Sequence, residues 1–176
     1  MKVFTAAQIR EADRYTIDNE PVASIDLMER ASRKLVTRFV QEFPSPRTVK
    51  VFCGPGNNGG DGLAIARMLQ KQDYRVKVYH LDDDQCSDDF RINMERLRAV
   101  MPDYIHVLRN KEDFPAINEK DVVIDALFGS GLNKSLTGLE AELVQYINEA
   151  EATVVAVDIP SGLFADKYTT GGYPSC

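Results

Sequence analysis

Three polar, glycine-bearing stretches hold the residue types that chemistry needs. They are GPGNNGGDG at 54–62, GSGLNKS at 129–135, and Asp158 with the following IPSG at 159–162. In the first, Gly54, Gly56 and Gly59 satisfy G-x-G-x-x-G, the spacing that lets backbone approach a dinucleotide's pyrophosphate. Gly56, Gly59 and Gly60 permit such an approach. A helix starting near Gly60 would aim free N–H groups and a positive dipole end at phosphate. A ligand-free βα turn satisfies the same triplet. Asn57, Asn58 and Asp61, however, are more polar than a turn requires. No Lys-Ser or Lys-Thr follows the glycines, which excludes a Walker loop.

Asp125 and Asp158 each stand at the end of a strongly apolar run. One such Asp can simply cap its loop. Two that reach the same edge of a sheet could serve as acid or base, or bind a cation. Ser161 follows Asp158 by three residues, behind a stiffening Pro160, and can reach the same pocket. Lys134 could set a cation near phosphate or be merely solvated. Asp82–Asp84 stand near where a ribose-binding acid would fall in an oxidoreductase, but read as a solvated charge cluster. Cys53 reads as a small core residue, His80 as a strand-end side chain and His106 as a strand residue. No Ser/His/Asp or Cys/His spacing supports nucleophilic catalysis.

Alternating elements must position these groups. The first 43 residues read as two helices. Thr5 with Gln8 forms a capping box ahead of Ile9, Ala12 and Tyr15 or Thr16. Ser24 can cap the second helix, with Met28, Ala31, Leu35 and Phe39 on one face and Pro44 and Pro46 ending it. Then come strand patterns at 48–53, 75–80, 104–108, 121–127 and 152–159. The last two are nearly continuous apolar runs, as expected of strands covered on both faces. Helical patterns lie between them at 63–71, 87–100 and 138–150. This alternation predicts an α/β fold, a mainly parallel sheet with helices on both faces. Ligands then bind beyond the carboxyl ends of the strands, where all three polar stretches converge.

The chain of 176 residues suits one domain. Its net charge of −6 argues against nucleic acid or an anionic membrane as a partner. The three cysteines, Cys53, Cys86 and Cys176, are scattered, without disulfide or metal spacing. There is no signal-peptide pattern at the start and no membrane-span length of apolar residues. A cytoplasmic address is expected.

GPGNNGGDGLAIARML, DALFGSGL and VDIPSGL, in this order and spacing, resemble the NAD(P)H-hydrate epimerase family, the YjeF N-terminal domain. The opening helices, with LMERA, resemble the family's N-terminal pair, so the resemblance runs over about residues 5 to 165. It implies a Rossmann-like three-layer α/β/α sandwich preceded by two N-terminal helices. It implies interconversion of the R and S forms of NADH and NADPH hydrated at C6 of the nicotinamide ring, so that a separate nucleotide-dependent dehydratase can use the S form. The resemblance assigns a potassium ion to Asn58, Asp125 and Ser161. It assigns the hydrated dinucleotide to Asn57, Asn58, Gly59, Gly60 and Asp61, to Gly129, Ser130, Gly131, Leu132, Asn133, Lys134 and Ser135, and to Asp158. Oxygen donors of these types suit a hard cation.

The hydrate is a hemiaminal at C6, and inverting it needs proton transfer rather than hydride transfer. Asp158 is the candidate acid/base. A homodimer is implied, and fusion or coupling to the dehydratase is a further expectation. The family has Arg and Pro near Lys134 and Ser135; Lys replaces Arg as a point charge but not as a bidentate clamp. The chain ends in YTTGGYPSC, unlike the family, so 1–176 is expected to be a single epimerase domain truncated at its C-terminus. Two other readings stay open: a non-catalytic nucleotide- or protein-binding module of the same fold, and an NAD-dependent oxidoreductase.

Overall fold

The structure is a computed structural model that describes residues 4–20, 22–44 and 47–167. The tail YTTGGYPSC, with Cys176, and Pro46 lie outside the described residues. Five strands, β1 (Thr48–Cys53), β2 (Arg75–Leu81), β3 (Ile105–Leu108), β4 (Val122–Ala126) and β5 (Thr153–Ala156), form one sheet in the order β3-β2-β1-β4-β5. Every pairing is parallel. Five α-helices accompany it: α1 (Ala6–Asn19), α2 (Ser24–Glu42), α3 (Asn57–Gln70), α4 (Asp88–Arg98) and α5 (Gly138–Asn148).

Alternation along the strands divides the core into two layers. Val49, Val51, Cys53, Val76, Val78, Val122 and Ile124 pack against Val36 and Phe39 of α2, Leu63, Ile65 and Leu69 of α3, and Phe90, Met94 and Leu97 of α4. Phe52, Tyr79, Leu81 and Val123 pack against Leu143, Val144 and Ile147 of α5. Helices cover both faces, so the expected three-layer sandwich is present. The crossovers through α3 and α4 lie on one face and that through α5 on the other. Because such crossovers are right-handed, the sheet grows outward in opposite directions from β1 and β4. The crevice between the carboxyl ends of those two strands is the topological switch point.

The two N-terminal helices form as expected, with differences. Thr5 and Gln8 make the reciprocal capping box of α1. At α2 the N-cap is Ala23, with no side-chain cap; Ser24 instead donates to Asp89 Oδ2 at 2.6 Å, tying α2 to α4. The buried face of α2 is Met28, Ser32, Val36 and Phe39, rotated from the apolar stripe that the sequence suggests. Ser32 is drawn inward by a hydrogen bond to Asp61. Strand β4 is buried throughout. Strand β5 is not: it is the sheet's edge among the described residues, and Val154 is 37% exposed. Lys50 shares the face of Phe52, and its ammonium is buried against Asp121 and the Ala116 carbonyl.

Candidate active site

The glycine stretch after β1 is only briefly a loop. Helix α3 begins at Asn57, with Gly56 as its N-cap, and no side chain caps it. Gly54 and Gly59 are there for packing. A Cβ on Gly59 would lie 1.8 Å from the Gly54 carbonyl oxygen, and one on Gly54 would lie 2.0 Å from that of Leu127. These glycines let the first turn of α3 sit directly on the β1 and β4 ends. Gly56 and Gly131 have nothing within 4 Å of such a carbon, so their openness serves no internal contact. The uncapped N–H groups of α3 are the kind of helix start that binds anions.

A cavity of about 800 Å³ opens there. Asn57, Asn58, Asp61 and Ile65 line it from one face of α3, at the spacing that keeps helix residues on one side. The loop after β4 contributes Gly129, Ser130, Gly131, Leu132, Asn133 and Lys134, and the chain after β5 contributes Asp158. Gly59 and Gly60 lie buried beneath the lining, and Ser135 is exposed beyond it. The three stretches thus meet at one edge of the sheet.

Asp125 and Ser161 form a buried knot behind the cavity. Asp125, at the end of β4, accepts from the Leu127 and Ser161 backbone N–H groups at 3.1 and 2.8 Å, and from the Ser161 hydroxyl at 2.6 Å. Ser161 Oγ in turn accepts from the Phe128 N–H at 2.9 Å. The turn Pro160–Leu163 holds Ser161 in place. Leu163 N–H donates to the Pro160 carbonyl at 3.2 Å, and Gly162 takes a φ of 94° that favours glycine. Burial pushes the Asp125 carboxyl up, against the hydrogen bonds that favour its charged form.

Asp158 is exposed and accepts from the Ser130 N–H at 2.6 Å. Gly129 makes room for it, since a Cβ there would stand 2.5 Å from Asp158 Oδ2. Asp61 differs. Ser32 donates to its Oδ1 at 3.1 Å, and its pKa is pushed up to about 6. Desolvation is the main cause; the Ser32 bond opposes it, and the charges of Asp158, Asp89 and Asp13 add to it.

Among the described residues, no three His, Cys, Asp or Glu gather to hold a metal. The amide, carboxylate and hydroxyl that the resemblance names are a different kind of donor set, one suited to a hard cation. They fit such an ion on one structural observation: Asp125 Oδ2 accepts only the Ser161 N–H among the described residues, which leaves a carboxylate lone pair for a cation.

A family model described as "YjeF-related protein N-terminus" matches residues 24–174. The chain belongs to the YjeF N-terminal family. It is 34% identical over 165 residues to the NAD(P)H-hydrate epimerase of Limosilactobacillus fermentum, covering 94% of this chain and 77% of that one. It is 38% identical over 167 residues to the NAD(P)H-hydrate epimerase of Oenococcus oeni, covering 93% and 76%. The bifunctional NAD(P)H-hydrate repair enzyme Nnr of Moorella thermoacetica is 36% identical over 174 residues, covering 94% of this chain and 33% of that one. The crystal structure of a yeast protein shares the fold, with a TM-score of 0.84 at 21% identity over 97% of this chain and 75% of that one.

Several cavity residues of this family member come from where sequence reasoning did not look. Ile9, Arg10 and Asp13 of α1, Ser32 of α2, Gln85 and Phe128 all line it. Helix α1 is held by Asp166, whose carboxylate accepts from the Ala6 N–H at 3.1 Å across 160 residues of sequence. Arg10 and Lys134 are the cations of the lining, and neither has an ion pair among the described residues. Cys53 is fully buried with its thiol pushed up by burial. His80 is buried and its pKa lowered by that burial. Cys53 is a core residue and His80 lies near the end of β2, as expected. Asp82 forms an exposed ion pair with Arg109, as a solvated charge does.

Proposed function

We propose that the protein is an epimerase that interconverts the R and S forms of hydrated NADH and NADPH. The observation that carries this is one cavity at the switch point that combines an uncapped helix start with the carboxyl groups of Asp13, Asp61 and Asp158. Among the described residues, the lining holds no cysteine, histidine or tyrosine. Such a site is equipped for anion binding and carboxyl proton transfer. The named epimerases among its relatives support the same reading.

In this reading the α3 start, with Arg10 and Lys134, receives the pyrophosphate. Asn57 and Asn58 orient the hydrated ring, and Asp158, fixed by the Ser130 N–H, acts on the proton of the C6 oxygen. Asn58, Asp125 and Ser161 would hold a potassium ion, which supplies a fixed positive charge that orients the bound hydrate. The S product would pass to a nucleotide-dependent dehydratase. The reading includes a homodimer; Phe4, just ahead of α1, and Tyr15 of α1 are 60% and 68% exposed, and light scattering at working concentration tests it.

Incubating the purified protein with the R-hydrate of NADH and chromatographing the epimers tests the activity. Approach to the R/S equilibrium well above the protein-free rate is expected. A rate equal to that of buffer contradicts the reading.

A further inference from the structure

Among the described residues, the titratable groups that line the cavity are Arg10, Asp13, Asp61, Lys134 and Asp158. Its carboxyl groups are Asp13, Asp61 and Asp158. Asp13, on α1, and Asp158 are both exposed. Asp61 is the withdrawn one. It lies one turn beyond Asn57 and Asn58 on the same face of α3, on the wall formed by α2 and α3. Its Oδ1 takes the Ser32 hydroxyl, and its Oδ2 has no protein donor among the described residues. Among the described residues no cation pairs with it; Arg67 of α3 is taken by Glu29 of α2. Facing it are Asp13 and Arg10 from α1, Asp89 from α4, which is bonded to Ser24, and Asp158. Lys134 lines the same cavity from the loop after β4. A carboxyl so placed, among like charges, holds a proton more readily than an ordinary Asp.

Resting on the epimerase reading, we propose that Asp61 is a second catalytic residue: the acid that protonates the C6 hydroxyl as it leaves one face of the hydrated ring. The C6–O bond breaks, the Asp61 proton goes to the departing oxygen, and water is released. The N1 lone pair forms the C6=N1 iminium. Water then adds at the opposite face of C6, the iminium pair returns to N1, and Asp158 takes the proton of the added water. Exchange with solvent resets both carboxyls. Two faces are involved, so two carboxyls in different surroundings, Asp61 withdrawn against α2 and Asp158 exposed, are the natural equipment. The reverse direction uses the same pair with roles exchanged.

The test uses the full chain with Asp61→Asn, which keeps the shape and can accept the Ser32 bond but has no acidic proton to transfer. The expected result is a fall in kcat of about 100-fold or more, the usual scale of acid catalysis, with KM within about threefold. The wild-type kcat should fall as pH rises through about 6, the region where Asp61 loses its proton, and this limb should be absent from the variant. Ser32→Ala supplies an independent reading if Asp61→Asn does not fold. The Ser32 bond favours the charged form of Asp61, so removing it moves the limb to higher pH. A variant kcat within about fivefold of wild type, a loss confined to KM, or a limb that neither substitution moves overturns the proposal. Those outcomes with an active wild type leave the epimerase reading standing; an inactive wild type removes both.

Discussion

Gly129→Ala tests whether the position of Asp158, rather than its mere presence, sets the rate. The backbone of Gly129 has no left-handed φ, so alanine strains nothing there. Its Cβ would stand 2.5 Å from Asp158 Oδ2 and 3.1 Å from Asp158 Cβ, against ordinary contact beginning at 3.4 Å. The carboxylate must therefore retreat by about 0.9 Å, which stretches or breaks its 2.6 Å bond from the Ser130 N–H. Misplacing a reacting group by about 1 Å costs on the order of 100-fold in rate. Asp158 is exposed, so the fold should lose little, within about 1 kcal/mol. Chromatographic epimerisation rates give kcat and KM, and a urea titration gives stability. The expected pattern is a large loss in kcat with a nearly unchanged midpoint. Gly131→Ala is the contrast. Its Cβ meets no protein atom within 4 Å, but it lines the cavity, so KM should rise with kcat largely kept. Gly129→Ala with a kcat within about threefold of wild type would refute the assigned role of the Asp158 position.

Three further outcomes follow from buried groups. Lys50→Ala leaves Asp121 without its buried cation and should cost about 3–5 kcal/mol; in urea unfolding, Lys50→Met with Asp121→Leu should recover most of that. Ser161→Ala removes the hydroxyl that serves both Asp125 and the Phe128 N–H. It should cost about 1–3 kcal/mol and abolish any difference in rate between potassium and sodium buffers. Asp61 has a folded pKa raised to about 6 from an ordinary value of 3.8, so the native state holds its proton more tightly than the unfolded state. Its favourable contribution is present below about pH 4 and is lost as pH rises through about 6. Asp61→Asn should therefore match wild type in stability near pH 4 and exceed it at pH 8, by about 3 kcal/mol; equal stability at both pH values contradicts the burial assigned to Asp61.

The sheet was readable because β4 is a nearly continuous apolar run, buried throughout, and β1 and β2 are short β-branched runs whose valines are buried. The same reasoning overstated β5, whose apolar run lies at an edge, where Val154 meets solvent. The start of α3 was hidden because Asn-Asn-Gly-Gly has poor helix propensity; tertiary contact between Gly59 and the Gly54 carbonyl decides it instead. The three chemistry-bearing stretches could be foreseen to meet, since parallel strands put their carboxyl ends on one edge. Ser32 and Arg10 could not. Each sits in a helix distant in sequence, and its place in the cavity depends on how that helix packs, fixed by such contacts as Asp166 with the Ala6 N–H. The elevated proton affinity of Asp61 likewise comes from neighbours on α1, α2 and α4, which no local motif records.

The most direct test of the site is epimerisation of the R-hydrate by wild type and by Asp158→Ala, side by side, with calorimetric binding of the hydrate to both. Equilibration of R and S well above the protein-free rate by wild type, and a variant that still binds but works at the protein-free rate, is the predicted result. A wild type no faster than buffer, or an Asp158→Ala variant as fast as wild type, would contradict it.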